Sequence, residues 1–373
     1  MPRFDSVLDL IRAVDIVALP ARFPERARAK LWAQLELALP GGMKDRVALR
    51  MVEQAEADGS LRPGGVIAES SSGTLAEGLA RVGVLKGYRV IIVTDPRIDE
   101  LTRAKLLALG AELDVVPAMD PVGGWQSARL RRLKEVLDSV PGAVWTCQYD
   151  SPANQAAYRD VGPALVEALG PRIGAVVGSV GSGGSLCGVA KSLAPLVPDL
   201  QVVAVDAVGS VLFHQPDRKR LQSGHSNSIV PGNISYEDID EVHWVADGEA
   251  FLACRELARK GGVFAGGSSG ATWVVASFLA EQLASDQHVV AILPDRGDRY
   301  FKSIYSDAFL AEHGLSEQAA AEPVPLRYGV DVAERWSRAA LPHDGTVPYI
   351  AATARTTADI SAELGLKAGQ RAE

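Results

Sequence analysis

The chain has little cysteine and no excess of positive charge. Its three cysteines among 373 residues lie far apart and form no CxxC pair, so we predict neither a disulfide framework nor a metal site. The net charge of −8 argues against a nucleic-acid surface or an anionic membrane surface. No apolar run reaches membrane-spanning length, and acidic residues interrupt the N-terminal segment where a signal peptide would be apolar. We therefore expect a cytoplasmic protein with no nucleic-acid and no membrane partner.

Short β-branched segments alternate with helical segments through most of the chain. Helical patterns such as residues 99–109 and 249–260 separate the strand-like runs, and this alternation is typical of βαβ units on parallel sheets. The chain is long enough for two such domains. The predicted strands are residues 66–68, 90–93, 113–116, 144–147, 175–177, 202–205, 242–245 and 289–293.

Lys44 follows a glycine pair and precedes a helical pattern over residues 47–57. A lysine at a helix N-terminus faces the positive end of the helix dipole, which disfavours its charge, as a Schiff-base lysine requires. A lone lysine is nevertheless most often a solvated surface charge. Lys44 becomes a candidate Schiff-base lysine only in combination with the loops that follow it.

Four further loops of small residues occur downstream, each next to a predicted strand or helix. Residues 70–74 place three serines, a glycine and a threonine at a strand-to-helix turn, where their donors suit a carboxylate, although such clusters are usually plain loops. Residues 178–185 form a strand, glycine loop and helix arrangement that wraps a phosphate in backbone N–H groups. Residues 266–271 open another helix, and residues 293–300 follow the last predicted strand.

The order and spacing of these five motifs resemble the cysteine synthase family of fold-type II pyridoxal-phosphate (PLP) enzymes, which are similar to the tryptophan synthase β subunit. The resemblance covers residues 31–305 and implies a homodimer with two parallel-sheet α/β domains and the cofactor between them. We accordingly divide the chain into an N-terminal extension (1–35), an N-terminal domain with the lysine and the carboxylate loop (36–150), a C-terminal domain with the phosphate loop (151–310) and a C-terminal extension (311–373).

The resemblance also implies a role for each motif. Lys44 would hold PLP as a Schiff base and act as the general base at Cα. Ser268 would bond to the pyridine nitrogen and leave it unprotonated, which favours β-elimination over transamination. The residues implied to bind the phosphate are Gly181, Ser182, Gly183, Gly184 and Ser185. Those implied to hold the substrate carboxylate are Ser71, Ser72, Thr74 and Gln148, and Thr74 also lies at the cofactor ring.

Two departures from the family pattern concern the substrate. Thr74 replaces an asparagine, and Gly224 and His225 lie in a polar segment where cysteine synthases carry a glycine-rich, apolar stretch. His225 is either an acid or base in the substrate pocket or a solvated loop histidine, and the second is the more frequent case. Both departures suggest a product other than cysteine, such as S-sulfocysteine, diaminopropionate or another β-substituted alanine.

The sequence therefore predicts a PLP-dependent enzyme that performs β-elimination or β-replacement on an activated serine of the O-acetylserine or O-phosphoserine type. Its product would be cysteine or a β-substituted alanine such as S-sulfocysteine or diaminopropionate. The leaving group and the nucleophile stay open. One alternative is a nicotinamide-dependent oxidoreductase, which would use the Gly181 loop and Asp206 as its ribose-binding acid. Another is a non-catalytic partner protein that keeps the PLP fold.

Overall fold

The computed structural model describes residues 4–121, 124–315, 322–343 and 354–366. The helices in these ranges are α1 (Val7–Arg12), α2 (Lys44–Ala57), α3 (Thr74–Lys86), α4 (Glu100–Ala108), α5 (Gly124–Ser139), α6 (Ala153–Ala156), α7 (Val161–Leu169), α8 (Gly184–Leu193), α9 (Asp247–Gly261), α10 (Gly267–Gln282), α11 (Asp307–Glu312) and α12 (Thr357–Leu364). The strands are β1 (Ile16–Leu19), β2 (Lys30–Gln34), β3 (Val66–Ser70), β4 (Arg89–Thr94), β5 (Glu112–Val115), β6 (Ala143–Trp145), β7 (Ile173–Ser179), β8 (Gln201–Ala207), β9 (Glu241–Val245), β10 (His288–Ile292), β11 (Val324–Pro325) and β12 (Ser337–Ala340).

The chain forms two compact units, each built from more than one segment. Unit 1 comprises Met1–Ala13, Leu39–Ala157 and Thr356–Glu373, and unit 2 comprises Val14–Ala38 and Tyr158–Arg355. In the part of the chain that the structure describes, no helix combines the length and apolar composition needed to cross a membrane.

Unit 1 contains a four-stranded sheet in the order β5-β4-β3-β6. All neighbouring strands are parallel, because α3, α4 and α5 each cross over between consecutive strands. Apolar residues of the strands and of α5 form a shared core, and Leu366, just after α12, packs into it. This sheet places the C-terminal end of β3 directly before the loop of residues 71–73.

Unit 2 contains an eight-stranded sheet in the order β1-β2-β10-β7-β8-β9-β12-β11. The five strands from β2 to β9 in this order are parallel, as predicted. The pairs β1·β2 and β9·β12 are antiparallel, which the sequence did not indicate. All seven residues of β7 are buried, as expected for a central strand with both faces covered.

The α/β class with parallel sheets is confirmed, while the four-part division at residues 35, 150 and 310 stays a prediction. Residues 30–34 pack in unit 2 because β2 pairs in parallel with β10. The predicted C-terminal extension contributes β12 to the sheet of unit 2 and α12 to unit 1. Residues 316–321, 344–353 and 367–373 of that extension lie outside the described ranges.

Candidate active site

Lys44 is the first residue of α2, at the helix start where the sequence placed it. The preceding Gly42 has a φ of 93°, a left-handed conformation that glycine adopts without strain. The Lys44 residue is only 9% exposed, so the solvated surface lysine considered from sequence is excluded. A buried amine at the positive end of a helix is disfavoured as an ammonium ion, which suits a Schiff-base lysine.

The two residues after Lys44 anchor this helix start. Asp45 accepts hydrogen bonds from the Gly41 amide (2.8 Å) and from Nη1 of Arg81 in α3 (2.7 Å). Burial raises the pKa of Asp45 to about 6, even though Arg81 lowers it. Arg46 donates to the carbonyl oxygen of Ile11 in α1 (2.9 Å). The loop that carries Lys44 is therefore fixed from three helices.

The proposed carboxylate loop joins β3 to α3 within the same unit. Its members Ser71, Ser72 and Thr74 are half-buried, so a ligand can reach them. Thr74 begins α3, and the first-turn amides of a helix have no acceptor within that helix. These amides and hydroxyls are donors of the kind that bind an anion at a helix N-terminus, and the carboxylate role stays a prediction.

Arg129 is a neighbour of this loop that sequence reasoning missed. Its Nη1 donates to Ser72 Oγ (3.1 Å) and to Asp95 Oδ2 (2.8 Å). Burial favours a raised pKa for Asp95, but hydrogen bonds from Arg97 and the charge of Arg129 hold that pKa below its usual value. The pair Asp95–Arg129 thus places a fixed guanidinium beside the carboxylate loop. The contact spans 57 residues to Ser72, so no local pattern could have revealed it.

Glu69 ties the carboxylate loop to the segment that carries Gln148. Its buried carboxylate accepts from Trp145 Nε1 (2.9 Å) and Thr146 Oγ1 (2.6 Å). Burial raises the pKa of Glu69, and these two donors lower it. The carbonyl of Gln148 accepts from Asn154 Nδ2 (2.7 Å). Lys44, the carboxylate loop and Gln148 therefore all lie in unit 1, each held by buried hydrogen bonds.

The proposed phosphate loop lies in unit 2, between β7 and α8. Gly183 is the N-cap of α8 and has a φ of 82°, and a Cβ atom there would lie 2.4 Å from the carbonyl oxygen of Asn233. Only glycine fits this position, so no side chain at residue 183 covers the backbone of the loop. Ser182 and Ser185 are buried within the loop and the first turn of α8. The predicted site residues Gly181 to Ser185 thus form one continuous turn.

Ser268 is the second residue of α10, whose N-cap is Gly266. The amide of Gly266 donates to the carbonyl oxygen of Asp295 (3.1 Å). Tyr300 donates its hydroxyl hydrogen to Asp295 Oδ2 (2.7 Å), and a Cβ atom on Gly266 would lie 2.6 Å from the Tyr300 ring. The fourth and fifth motifs are therefore in contact, and the fifth holds the helix start that presents Ser268.

His225 is 4% exposed, so the solvated loop histidine is wrong. Neither ring nitrogen makes a hydrogen bond of normal geometry among the described residues, although the backbone of Ser223 lies close enough to interact with the ring. Burial lowers the pKa of His225 to about 4, and the charge of Arg220 acts in the same direction, so the ring is neutral near pH 7. The next residue, Ser226, donates its amide hydrogen to the carbonyl oxygen of Val180 (2.7 Å), which brings this segment beside the phosphate loop. Gly224, by contrast, is exposed.

Asp206 has an internal role that does not suit a ribose-binding acid. It is the penultimate residue of β8 and has no exposed surface, and its Oδ1 accepts from the Ala207 amide (2.9 Å). Hydroxyl groups of Ser210 and Ser226 also bond to this carboxylate, whose pKa burial raises to about 6. A ligand cannot reach Asp206 in this arrangement, which argues against the nicotinamide alternative.

The residues present fit PLP. Within unit 1, Lys44 is a buried lysine at a helix start, as a Schiff-base lysine requires. Within unit 2, the turn into α8 is rich in glycine, and any Cβ atom at position 183 would collide with the Asn233 backbone. Serine hydroxyls and first-turn amides of α8 are the donors that a phosphomonoester takes. PLP supplies an electron sink for carbanion chemistry at Cα when it is bound.

Comparisons with known proteins agree that this chain is similar to PLP-dependent enzymes. The family described as pyridoxal-phosphate dependent enzymes matches residues 7–295. An N-(2-amino-2-carboxyethyl)-L-glutamate synthase from Ralstonia nicotianae is 39% identical over 318 residues, which are 85% of this chain and 94% of that protein. The synthase of the same name from Cupriavidus metallidurans is 38% identical over 82% of this chain and 91% of that protein.

Solved structures give the same fold. An O-ureido-L-serine synthase with O-ureido-L-serine bound is 30% identical, with a TM-score of 0.74 over 84% of this chain and 99% of that one. The cysteine synthase of Entamoeba histolytica is 25% identical, with a TM-score of 0.76 over 84% and 96% of the two chains. The predicted fold-type II class, the cofactor and the cysteine synthase-like enzyme acting at Cβ are confirmed. The chain therefore belongs to the family of pyridoxal-phosphate-dependent enzymes.

Proposed function

We propose that this enzyme replaces the leaving group on Cβ of an activated serine with the amino group of L-glutamate. The observation that carries the proposal is the similarity to two N-(2-amino-2-carboxyethyl)-L-glutamate synthases over more than nine-tenths of their lengths. Their product contains an alanine-type unit joined through its Cβ to the glutamate nitrogen. It is thus a substituted diaminopropionate, one of the β-substituted alanines that the departures at Thr74 and His225 suggested.

Lys44 is proposed to hold the cofactor and to move the proton at Cα. Its burial and its place at the head of α2 favour the neutral amine, which can accept a proton. The same amine returns a proton to Cα after the new bond at Cβ has formed. Asp45 and Arg46 keep the helix start in position while the lysine exchanges partners.

The loop with Ser71, Ser72 and Thr74, together with Gln148, is proposed to hold the α-carboxylate of the serine-derived substrate. Arg129 donates to Ser72 and so adds positive charge to this loop. A carboxylate gains more from donors that are already oriented and partly desolvated than from mobile surface groups. The Asp95 partner fixes the guanidinium before the substrate arrives.

The turn from Gly181 to Ser185 is proposed to bind the cofactor phosphate, and Ser268 the pyridine nitrogen. A neutral hydroxyl at that nitrogen leaves it unprotonated and weakens the electron sink. This arrangement favours direct loss of a Cβ leaving group over transamination. Thr74 is proposed to contact the cofactor ring in place of the family asparagine.

The proposal is tested by supplying L-glutamate with O-phosphoserine, O-acetylserine and serine in turn and identifying the product by mass. We expect the N-linked glutamate adduct from one of the activated serines. Sulfide should compete poorly with glutamate in the same mixture. If O-acetylserine with sulfide is by far the best pair and glutamate gives no adduct, the enzyme is a cysteine synthase and the proposal is wrong.

We also propose that the enzyme is a homodimer and that it works in the cytoplasm. The resemblance to cysteine synthases supports the first, and the three buried, unpaired cysteines are compatible with a reducing compartment. Light scattering on the purified enzyme should give twice the chain mass. Fractionation of cells should recover activity with the cytoplasmic marker enzymes.

A further inference from the structure

We propose that His225 accepts a hydrogen bond from the incoming amino group and thereby favours an amine over a sulfur nucleophile. This inference rests on the proposed function, because it assigns a residue to the amine that attacks Cβ. It makes His225 a specificity-determining residue of the second substrate rather than a group that binds the leaving group.

The segment of residues 223–226 touches two parts of the proposed cofactor site within unit 2. On one side, a Cβ atom on Gly181 would lie 3.3 Å from the Cα atom of His225. On the other side, a Cβ atom on Gly224 would lie 3.3 Å from the Tyr300 hydroxyl, which bonds to Asp295 beside the start of α10. His225 therefore adjoins the phosphate loop, and its neighbour Gly224 adjoins the residues that support Ser268.

The ring of His225 is buried, and neither nitrogen makes a hydrogen bond of normal geometry among the described residues. The backbone of Ser223 interacts with the ring and serves one nitrogen at most, so at least one buried nitrogen is left without a partner. Buried polar atoms in native proteins are nearly always satisfied, so this nitrogen indicates a missing partner. Burial and the nearby Arg220 lower the pKa of this ring, and the backbone of Ser223 offsets this only in part. A neutral imidazole carries one donor and one acceptor nitrogen.

The backbone next to His225 is held in a conformation that non-glycine residues rarely adopt. Ser226 has a φ of 66°, and its amide is bonded to the Val180 carbonyl oxygen at 2.7 Å. Its hydroxyl oxygen accepts from the Ala207 amide (2.9 Å). Strain of this kind persists where the surroundings fix it, and it is frequent at functional sites. The position of the histidine is thus fixed by the two hydrogen bonds that its neighbour Ser226 makes.

An acceptor in this place suits an amine. The attacking nitrogen uses its lone pair to form the bond to Cβ, and its N–H groups must then find acceptors elsewhere. The neutral ring of His225 provides a hydrogen-bond acceptor, and because it is uncharged it does not repel the approaching amine. Hydrosulfide has only a weak S–H donor and gains little from the same nitrogen. No proton is transferred to His225. Lys44 takes the Cα proton as the bond from Cβ to the leaving group breaks with its electron pair. Glutamate then forms the N–Cβ bond as a free amine, its nitrogen loses a proton to solvent, and Lys44 returns a proton to Cα.

The test compares His225→Leu, which has no acceptor, with His225→Gln, which keeps an amide oxygen. For each variant we would measure kcat/KM for L-glutamate and, separately, leaving-group release without glutamate. Loss of one hydrogen bond predicts a fall of about tenfold in kcat/KM for glutamate in His225→Leu, and less than about threefold in His225→Gln. Leaving-group release should change much less than glutamate use in both.

A third variant, His225→Gly, removes the ring from a loop that already contains Gly224. It replaces His225→Leu in the test if the His225→Leu protein does not fold. Added imidazole should restore its glutamate use. Equal losses of glutamate use and leaving-group release, or no rescue by glutamine or imidazole, would overturn the inference while the proposed function stands. If the unmodified enzyme forms no glutamate adduct, the proposed function itself fails and this inference fails with it.

Discussion

At the residue scale, the sequence predicted those site residues whose signal is local. Lys44 could be placed at a helix start because the glycine pair and the helical pattern adjoin it, and the structure has it there. The burial of His225 could not be predicted, because it depends on distant residues that pack over a loop. Arg129 and Asp95 were missed for the same reason, since their contacts join segments far apart in sequence.

Replacing Lys44 by alanine should abolish the visible colour of the bound cofactor and lower kcat by about 10²- to 10⁴-fold, the range typical of one general base. In the unmodified enzyme, borohydride should fix the cofactor to the peptide that contains Lys44. Lys134, which is half-buried and pairs with Asp138 on α5, is a suitable control, and its alanine variant should keep both colour and rate. Colourless wild-type protein that takes up no added PLP contradicts the prediction.

Replacing Arg129 by alanine should raise KM for the serine-derived substrate about tenfold with a smaller effect on kcat, since a charge-assisted contact to the carboxylate loop is lost. Arg132 of the same helix is a matched control, because it pairs with Asp114 and Glu135 at the surface. Steady-state kinetics of both variants give the KM and kcat values to be compared. Equal KM values for the two variants would show that Arg129 has no part in substrate binding.

At the element scale, the central strands were predictable and the sheet edges were not. All eight predicted strands occur, from β3 to β10, because runs of β-branched residues are typical of buried parallel strands. The four missed strands, β1, β2, β11 and β12, lie toward the two edges of the larger sheet. β12 reads Ser-Arg-Ala-Ala and has no β-branched residue, so only its pairing with β9 reveals it.

The turn into α8 gives a prediction for the phosphate loop. Gly183→Ala would force a left-handed φ on alanine and press its Cβ atom against the Asn233 carbonyl, so PLP affinity and stability should both fall. Gly248→Ala in α9 is the control, because its Cβ atom would meet nothing closer than Leu315 at 3.7 Å. Fluorescence titration with PLP measures the affinity. Unchanged affinity in a folded Gly183→Ala protein would place the phosphate elsewhere.

The end of β8 gives a pH-dependent prediction. Burial raises the pKa of Asp206 to about 6 in the folded protein, above its unfolded value of 3.8. Its stabilising contribution is therefore present below about pH 4 and is lost as the pH rises through 6, by up to about 3 kcal/mol. Asp206→Asn should flatten this part of the curve of unfolding free energy against pH. An unchanged slope in denaturant titrations between pH 4 and pH 7 would contradict the prediction.

At the scale of the whole molecule, five weak motifs became strong evidence through their order along the chain. The structure assigns the first two to unit 1 and the last three to unit 2, a division that no single motif reveals. The pairing of strands that are far apart in sequence, such as β2 with β10, also leaves no local pattern in the sequence. Order along the chain therefore identified the family, while packing had to come from the structure.

The cofactor should contribute to the stability of the whole chain. A ligand that binds only the folded state at 100 times its Kd stabilises by about 2.7 kcal/mol, which corresponds to a rise in Tm of roughly 3 °C for a chain of this size. Removal of PLP should lower Tm by that order, and added PLP should restore it. Pyridoxal, which lacks the phosphate, should restore much less, because the bare glycine turn and the buried Ser182 and Ser185 would then have no anion to bind. Equal recovery of Tm with pyridoxal at the same concentration would show that the turn between β7 and α8 is not the phosphate site. Recovery of Tm with PLP alone would tie the stability of the chain to phosphate binding at that turn.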